Sequence, residues 1–544
     1  MKKLLWGVLF AYGAWCVSPA CLQSAPLSND SIYRAIDEPI DAHFPDTLVW
    51  IPDSLAADSV LPGDFSEKDE ALSDESAGAF SEDSGADGPD SCINLSLCMK
   101  ELLASPFLMT SDVGVAVYDL TADSMLYAYH SGKLYRPASV QKLFTAVTAL
   151  DLLGADHAVQ TLVMADSVQE DSVLTGNLYL VGGFDSEFSE SDMELLVEQI
   201  KELGIRRIAG KVYADVSMKD SVPYNPGWSW DDAYYYYQPE LTPLIYHKNY
   251  LTLRLTPSTS RRRSRISVNP PTELYKFVNR TGGSGAFRLY RNLSTGSNEI
   301  IIQGRVRRKC TEYITVPRPY ELFADVFLSR LAAAGIQTGG YGGRSCTPLS
   351  ADTLVGVVRA LQPILRRALN NSDNLSAESL FFQAAYCRAN AGKAREDYVP
   401  CTAADGASAV RALLSDIGMD ASEYGISDGC GLSPYNRTSA DAVVTVLRYA
   451  ASRPELFYPI YNALSVAGND GTLRRRMKGT PAEGNVRGKT GSMSGVSTLA
   501  GYLTAPDGHL IAFAILNQNA RRSAQARKFQ DRICELLCSY RASE

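Results

Sequence analysis

The chain has 544 residues, of which 45% are hydrophobic, and a formal net charge of −9. This length excludes an ordinary single domain and predicts two or three, and the hydrophobic content is that of a globular protein. The acidity is local, because residues 51–91 carry twelve acidic side chains and one lysine, whereas residues 93–544 carry a net charge of +4. No nucleic-acid partner is expected.

Residues 1–20 are predicted to be a signal peptide. Two lysines precede the apolar run Leu4–Trp15, which is too short to cross a bilayer as a permanent helix. Cleavage is expected after Ala20, and Cys21 leaves open a lipid anchor, although the preceding residues match the usual lipoprotein box poorly. Either alternative predicts an exported protein of the periplasm or cell envelope.

Residues 21–92 are predicted to be an acidic, low-complexity linker. The segment is rich in Asp, Glu, Ser, Ala and Gly and has too few large apolar residues to form a core. We interpret it as a tether; a metal-buffering or partner-binding tail is the alternative.

A strand pattern at Asp112–Leu120 is followed by a helix that begins near Pro137 and contains Ser139-Val-Gln-Lys142. Ser139 is therefore expected in the first turn of a buried helix, where free N–H groups and the helix dipole favour negative charge. Lys142 lies on the same face of that helix. A lysine with its usual pKa cannot accept a proton at neutral pH, so Lys142 must be desolvated or close to a second cation such as Lys489. The pattern predicts a nucleophile and its base.

Residues 170–345 are rich in strand patterns separated by turn residues. Helical patterns at Asp192–Leu203 and Tyr320–Ala334 interrupt them. The predicted strands are Asn177–Val181, Lys211–Ala214, Leu251–Leu255, Ile300–Gln303 and Tyr313–Val316.

A second candidate motif is Ser372-Asp-Asn374, between the helical runs Val357–Asn370 and Ser376–Ala385. The same S-x-N pattern occurs at Ser267, but there it ends an alternating strand next to prolines. A hydroxyl and an amide at a junction between helices suit a cleft better, so we select Ser372 and Asn374.

The third motif, Lys489-Thr490-Gly491-Ser492, is the single K-T-G of the chain. It offers a cation for a carboxylate, on a strand whose backbone N–H can face an oxyanion. Strands are predicted at Val496–Gly501 and Ala512–Asn519, and a final helix at Ser523–Leu537 packs on their sheet.

The three motifs in this order are the signature of penicillin-binding proteins and class A β-lactamases. Further stretches extend the likeness: Ser427–Ser433 is similar to a DGSGLSR segment, Gly227–Asp232 to a GWxWxD segment, and Ala467–Arg476 to the stretch before a KTG strand. Over most of residues 105–540 the chain resembles the class C low-molecular-mass penicillin-binding proteins.

This resemblance implies an α/β (α+β) fold, with a serine β-lactamase/transpeptidase-like catalytic domain and a large strand-rich insertion between the first and second motifs. The catalytic domain would comprise residues 93–165 and 346–544, and the insertion residues 166–345.

The resemblance also implies a D-Ala-D-Ala carboxypeptidase/DD-endopeptidase that acts on peptidoglycan stem peptides through an acyl-serine and is acylated by β-lactams. Ser139 would attack the carbonyl between two D-alanines and Lys142 would take its proton. Backbone N–H groups of Ser139 and Ser492 would stabilise the oxyanion. Ser372 would relay a proton to the leaving amine. Neither a metal nor an organic cofactor is expected.

The resemblance also implies which residues bind the substrate. Asn374 would orient the peptide amide, and Lys489 with Thr490 and Ser492 would receive the terminal carboxylate. In relatives, the Asp of GWxWxD and the Arg of DGSGLSR bracket the free amino and carboxylate end of diaminopimelate; here Asp232 is in place.

Pro434 stands where that Arg would be, and proline offers no charge and no donor. We hypothesise that Asp232 still binds the ammonium, while the carboxylate is bound elsewhere, left in solvent or amidated. The alternative is that Tyr234–Tyr237 or Arg437 replaces the missing Arg.

The sequence can be compared with three alternative functions. A β-lactamase or esterase on the same fold would share the nucleophile and differ in deacylation. A non-catalytic wall-binding or β-lactam-sensing module is disfavoured because no motif residue is missing. A Ser-His-Asp hydrolase is disfavoured because no G-x-S-x-G elbow occurs.

The chain has eleven cysteines, and export permits disulfides. Cys534 and Cys538 lie four apart on a helix and are expected to be buried free thiols. With five histidines and none at a zinc-ligand spacing, no metal site is predicted. The plausible disulfide pairs, whose connectivity the sequence leaves open, are Cys92 with Cys98, Cys310 with Cys346, and Cys387 with Cys401.

Overall fold

The structure is a computed structural model that describes residues 94–541 apart from 168, 259–262 and 294–295. The predicted signal peptide 1–20 and the whole of the predicted acidic linker 21–92, including Cys21 and Cys92, lie outside the described residues. None of the helices in the described part is both long and apolar enough to cross a membrane.

The described residues contain twenty strands in five sheets. In chain order they are β1 (Asp112–Asp119), β2 (Ser124–Tyr129), β3 (Ala158–Ala165), β4 (Gln169–Glu170), β5 (Val173–Leu174), β6 (Leu178–Val181), β7 (Arg207–Ile208), β8 (Val212–Asp215), β9 (Tyr250–Thr256), β10 (Arg265–Asn269), β11 (Lys276–Thr281), β12 (Arg288–Arg291), β13 (Glu299–Gly304), β14 (Cys310–Thr315), β15 (Tyr341–Arg344), β16 (Asp352–Ala360), β17 (Ser465–Val466), β18 (Arg487–Met493), β19 (Val496–Thr504) and β20 (Leu510–Gln518).

The helices of the same part are α1 (Leu95–Leu103), α2 (Gln141–Leu153), α3 (Glu190–Glu202), α4 (Pro319–Ala333), α5 (Leu361–Asn370), α6 (Asn374–Ala389), α7 (Ala403–Asp416), α8 (Ala440–Ala451), α9 (Pro454–Ala463) and α10 (Ser523–Leu537). Short 3₁₀ turns at Ala138–Val140, Trp230–Asp232 and His247–Asn249 contribute to the site described below.

A six-stranded antiparallel sheet, in the order β17-β18-β19-β20-β1-β2, is covered by helices on both faces. Alternate residues of a strand point to opposite faces. Ala512, Ala514 and Leu516 of β20 therefore pack with α2 and α8, whereas Ile511, Phe513 and Ile515 pack with α1 and α10. This sandwich, with the C-terminal helix on the sheet, confirms the predicted fold class.

The remaining sheets are built from residues 158–360. One has five strands in the order β15-β8-β6-β3-β16, and three have three strands each. All five strands predicted between residues 170 and 345 are present, as are both helices. Strands β3 and β16 pair with each other, so this sheet continues beyond the predicted 166–345 boundaries, which stay a prediction.

The predicted helical run Val357–Asn370 was wrong in its first part. Residues Asp352–Ala360 form strand β16, with Val357 opposite Thr161, and α5 begins at Leu361. The segment is rich in β-branched residues, which favour a pleated strand once a partner such as β3 is available.

The plausible disulfide pairs between described cysteines are not formed. Cys310 and Cys346 are free thiols, and so is Cys401, whose Sγ donates to the carbonyl oxygen of Phe382. Cys534 and Cys538 are buried free thiols, as predicted.

Candidate active site

Ser139 lies in the 3₁₀ turn Ala138–Val140, immediately before α2, rather than within the helix itself. The preceding Ala138 has a φ of +45°, a left-handed conformation that is unusual for a residue with a side chain. Strain of this kind clusters at functional sites because the surrounding packing maintains it. The turn presents Ser139 at the N-terminus of a helix whose first three turns are buried.

Lys142 follows one turn later and is only 1% exposed. Its Nζ donates to Ser139 Oγ (3.0 Å), to Asn374 Oδ1 (2.7 Å) and to the carbonyl oxygen of Cys430 (2.7 Å). Burial lowers the pKa of Lys142, although nearby charges such as Asp428 act in the opposite direction. A buried lysine beside a serine hydroxyl has the arrangement of a nucleophile and its general base.

The Ser372–Asn374 segment connects α5 to α6. Ser372 has a φ of +61°, and its Oγ accepts a hydrogen bond from Lys489 Nζ (2.8 Å). Asn374 accepts from Lys142 through its Oδ1 and donates through its Nδ2 to the carbonyl oxygen of Tyr237 (2.8 Å). The structure therefore joins Ser139, Lys142 and Asn374 in one hydrogen-bonded group. Ser372 and Lys489 form a second group, and Ser372 lies two residues before Asn374 in the chain.

Lys489 is fully buried on β18. Besides Ser372, its Nζ donates to the carbonyl oxygen of Thr490 (2.7 Å). Burial, together with the charge of Lys142, lowers the pKa of Lys489 well below its usual value. Thr490 is held through its Oγ1, which donates to Thr472 Oγ1 (2.8 Å), and Ser492 is exposed on the same strand.

Strand β18 and the nucleophile turn approach each other so closely that only glycine fits at position 491. A Cβ on Gly491 would lie 2.9 Å from the backbone N of Ser139 and would collide with Thr498 Oγ1. Thr498 Oγ1 donates to the carbonyl oxygen of Pro137 and so fixes the turn on the sheet (2.8 Å). The backbones of Ser139 and β18 are thus close enough to serve one oxyanion.

Asp232 lies in the 3₁₀ turn Trp230–Asp232, within the predicted insertion 166–345. Burial raises the pKa of Asp232, and a hydrogen bond with Tyr237 opposes part of the rise. Through Tyr237, Asp232 is connected to Asn374. Near Pro434, Arg437 Nη1 donates to the carbonyl oxygens of Pro434 and Asn436, so this guanidinium is partly engaged by its own loop.

Sequence reasoning missed Lys248, a second residue of the predicted insertion at this site. It lies in the turn His247–Asn249, in which all three residues have positive φ, and its Nζ pairs with Asp373 Oδ1 (3.1 Å) and Glu187 Oε1 (2.5 Å). Asp373 in turn accepts the backbone N–H of Ser376 at the start of α6 (2.8 Å). These partners are far apart along the chain, so no local pattern could have indicated them.

Sequence reasoning also missed Glu378, a fully buried acid on α6. Glu378 lies four residues after Asn374 and is the single acid of α6, which was an available signal. Glu378, Asp428 and Cys430 are grouped closely enough to suggest a metal site. However, the carboxylates of Glu378 and Asp428 already accept hydrogen bonds from backbone N–H groups, from the side-chain amides of Asn225 and Asn436, and from the indole of Trp228. These donors can stabilise the two carboxylates without a metal ion.

Comparison with known proteins identifies the family to which the chain belongs. Residues 95–540 match the model of the D-Ala-D-Ala carboxypeptidase 3 (S13) family. The chain is 32% identical, over 81% of its own length and 83% of the relative's, to a D-alanyl-D-alanine carboxypeptidase of Actinomadura sp..

Two solved structures of penicillin binding protein 4 (dacB) from Haemophilus influenzae share the fold. One has a TM-score of 0.71 and 23% identity and covers 82% of this chain and 100% of that chain. The second, complexed with a novel β-lactam, has a TM-score of 0.67 and 22% identity over the same shares of both chains.

Proposed function

Because the chain belongs to the D-Ala-D-Ala carboxypeptidase 3 (S13) family, we propose that Ser139 is the nucleophile with which it hydrolyses peptidoglycan stem peptides ending in D-Ala-D-Ala. The observation that carries this proposal is the 3.0 Å contact between Lys142 Nζ and Ser139 Oγ, with Lys142 almost fully buried. A desolvated lysine can be neutral at physiological pH and can accept the serine proton.

The proposed steps use the groups of this site. Ser139 Oγ forms a bond to the carbonyl carbon between the two D-alanines, and its proton passes to Lys142. Backbone N–H groups of Ser139 and Ser492 stabilise the oxyanion. The C–N bond then breaks, and a proton reaches the departing D-alanine amine through Ser372. Water hydrolyses the acyl-serine and restores the free hydroxyl.

Lys489 is proposed to receive the terminal carboxylate together with Thr490 and Ser492. Its Nζ donates to two neutral oxygens, from Ser372 and Thr490, and a carboxylate would be a stronger acceptor than either. Asn374, between Lys142 and the carbonyl of Tyr237, is proposed to orient the substrate amide.

Covalent acylation by β-lactams tests the nucleophile directly. Benzylpenicillin should add one equivalent to the intact protein, on a peptide containing Ser139, and the adduct should persist because no separate deacylating glutamate with a recognisable motif occurs. Intact-protein mass spectrometry measures the adduct, and Ser139→Ala should abolish it. Retained labelling of Ser139→Ala would remove the assignment. Rapid turnover of a chromogenic cephalosporin would instead indicate a β-lactamase.

We also propose that the protein is exported, with residues 1–20 as signal peptide and Cys21 as a possible point of lipid attachment. The support is chemical: peptidoglycan lies outside the cytoplasmic membrane. The mass of the mature N-terminal peptide, with or without an acyl group, distinguishes soluble export from a lipid anchor.

A further inference from the structure

The Gly429–Cys430 turn lies between two helices of the active site. The carbonyl oxygen of Cys430 accepts from Lys142 Nζ (2.7 Å), and that of Gly429 accepts from Thr145 Oγ1 (2.7 Å). The two N–H groups of the turn donate in another direction, to Oε1 of Glu378 on α6 (3.0 and 2.8 Å). One carboxylate oxygen therefore fixes the turn that α2 contacts through both carbonyls.

The burial and contacts of Glu378 indicate that its hydrogen bonds, rather than an ion pair, determine its role. It is fully buried, and no lysine or arginine of the described residues forms an ion pair with it. Its second oxygen accepts from Asn225 Nδ2 of the insertion (2.6 Å). Burial, with the charge of Asp428, raises the pKa of Glu378 to about 8. A buried acid that forms no ion pair is costly unless hydrogen bonds compensate it, and here the two N–H groups of the turn and the Asn225 amide supply them.

We propose that Glu378 is a positioning residue for the general base. By binding both N–H groups of the Gly429–Cys430 turn, it holds the Cys430 carbonyl where that oxygen directs Lys142 Nζ towards Ser139. Glu378 acts through the turn and has no contact with the nucleophile. This inference rests on the proposed role of Lys142 and extends it to a residue outside the three motifs.

The geometry assigns this role to the shape and hydrogen-bonding pattern of Glu378 rather than to its charge. Glu378→Gln keeps an oxygen for the two N–H groups, and its amide can donate to Asn225 once the Asn225 amide turns. Glu378→Asp keeps the carboxylate but withdraws it by one methylene, about 1.5 Å, from the turn. The neutral isostere should therefore function better than the shorter acid.

The experiment is stopped-flow acylation by a chromogenic cephalosporin, which gives the limiting acylation rate constant and the Kd of the preceding complex separately. Glu378→Gln should stay within about threefold of the unmodified protein in rate constant. Glu378→Asp and Glu378→Ala should be slower by about tenfold or more, with Kd unchanged, because the cleft that binds the ligand is intact.

A matched control removes another buried carboxylate. Asp192 accepts from Ser189 N (2.8 Å) and from Arg359 Nη2 of β16 (2.8 Å), so Asp192→Ala should destabilise the protein and leave the acylation rate constant unchanged. Glu378→Gln as slow as Glu378→Asp would overturn the proposal, and so would folded Glu378→Ala that acylates at the normal rate. If Glu378→Ala does not fold, the comparison of Gln with Asp decides.

Lys142→Ala separates this inference from the proposed function. Normal acylation of Lys142→Ala would overturn the assignment of the base itself. Loss of acylation in Lys142→Ala, together with normal rates in Glu378→Asp, would overturn only the positioning role of Glu378.

Discussion

The turn and helix that carry Ser139 and the strand that carries Lys489 each bring one buried lysine to the cleft, but the two lysines are held differently. Lys142 donates to three oxygens, and carboxylates such as Asp428 lie near it. Lys489 donates to two neutral oxygens, and the nearest charge that affects its pKa is the other lysine.

The difference separates two tasks that a lysine can perform. A general base must be neutral so that it can accept the serine proton, and it needs fixed hydrogen-bond partners that direct its Nζ towards the hydroxyl. A carboxylate receptor needs an anion to stabilise its charge, and a substrate can supply that anion. The fold thus supplies the acceptors of Lys142 from within, whereas under the proposed role the ligand would supply an anionic partner for Lys489.

Replacing Lys142 should have the largest effect. Lys142→Ala should lower the acylation rate constant by about 10³-fold, the range expected for loss of a general base. Lys142→Arg should be almost equally slow, because guanidinium keeps the charge and the donors but does not lose its proton in proteins. Stopped-flow acylation measures both, with the exposed Lys201→Ala as control. An active Lys142→Arg enzyme would mean that hydrogen bonding, not proton transfer, is what Lys142 provides.

Replacing Lys489 should weaken capture of carboxylates by about 10- to 100-fold, from the loss of a charge-assisted hydrogen bond of about 1.5–3 kcal/mol. The measurement compares kcat/KM for a peptide ending in D-Ala-D-Ala with that for the same peptide ending in an amide. Lys489→Ala should lose the preference for the free carboxylate, whereas Lys478→Ala, an exposed lysine nearby, should keep it. Unchanged acylation of Lys489→Ala by penicillin would show that its assigned role is wrong.

The same comparison predicts a pH dependence. The pKa of Lys489 is depressed in the free protein, and a bound carboxylate should raise it, so binding takes up a proton at pH values between the two. Affinity for carboxylate ligands should therefore fall as pH rises through this window. Calorimetry in buffers of different ionisation enthalpy measures the uptake, which Lys489→Ala should abolish.

The sequence was informative where chemistry is encoded by short spacings. Ser139 and Lys142 are one helical turn apart, and Lys489, Thr490 and Gly491 are consecutive. Because both motifs are short and local, they could be located without a structure. Individual strands and helices of the sandwich followed from alternation and helical periodicity, whereas their arrangement was implied by the resemblance to penicillin-binding proteins. The helix expected from Val357 failed because β3, its strand partner, is about 200 residues away, a distance over which local propensity has no information.

The contacts that support the site could not be predicted from the sequence, because their partners are also far apart along the chain. Lys248 reaches Asp373 across 125 residues, and Glu378 reaches Asn225 across 153. Such contacts leave no periodic signal, although a lone acid among the apolar residues of α6 was a sign that could have identified Glu378.

A third lysine, Lys248, extends the comparison of Lys142 with Lys489, and its replacement should have a smaller effect on activity. Lys248 pairs with Asp373, between Ser372 and Asn374, but is itself partly exposed. Lys248→Met should lower kcat by about three- to tenfold through looser placement of these neighbours, with little change in KM. Lys248→Arg should recover most of the loss. Equal kcat in the Met and Arg variants would show that the pair contributes nothing to the reaction.

The smallest expected effect concerns side-chain recognition by the insertion. Asp232, half-buried and next to Tyr237, is proposed to bind the free ammonium of a diaminopimelate side chain, and Asp232→Asn should lower kcat/KM for such peptides by about threefold or more. The kcat/KM of Asp232→Asn for peptides without that amine should be unchanged. As a control, Asp231→Asn, at the exposed neighbouring position, should leave kcat/KM unchanged for all peptides.

Pro434 provides no partner for the carboxylate next to that ammonium. Peptides with a free and an amidated carboxylate should therefore react alike, and a preference of about tenfold for the free form, or 1.4 kcal/mol, would mean that a cation such as Arg437 binds it instead.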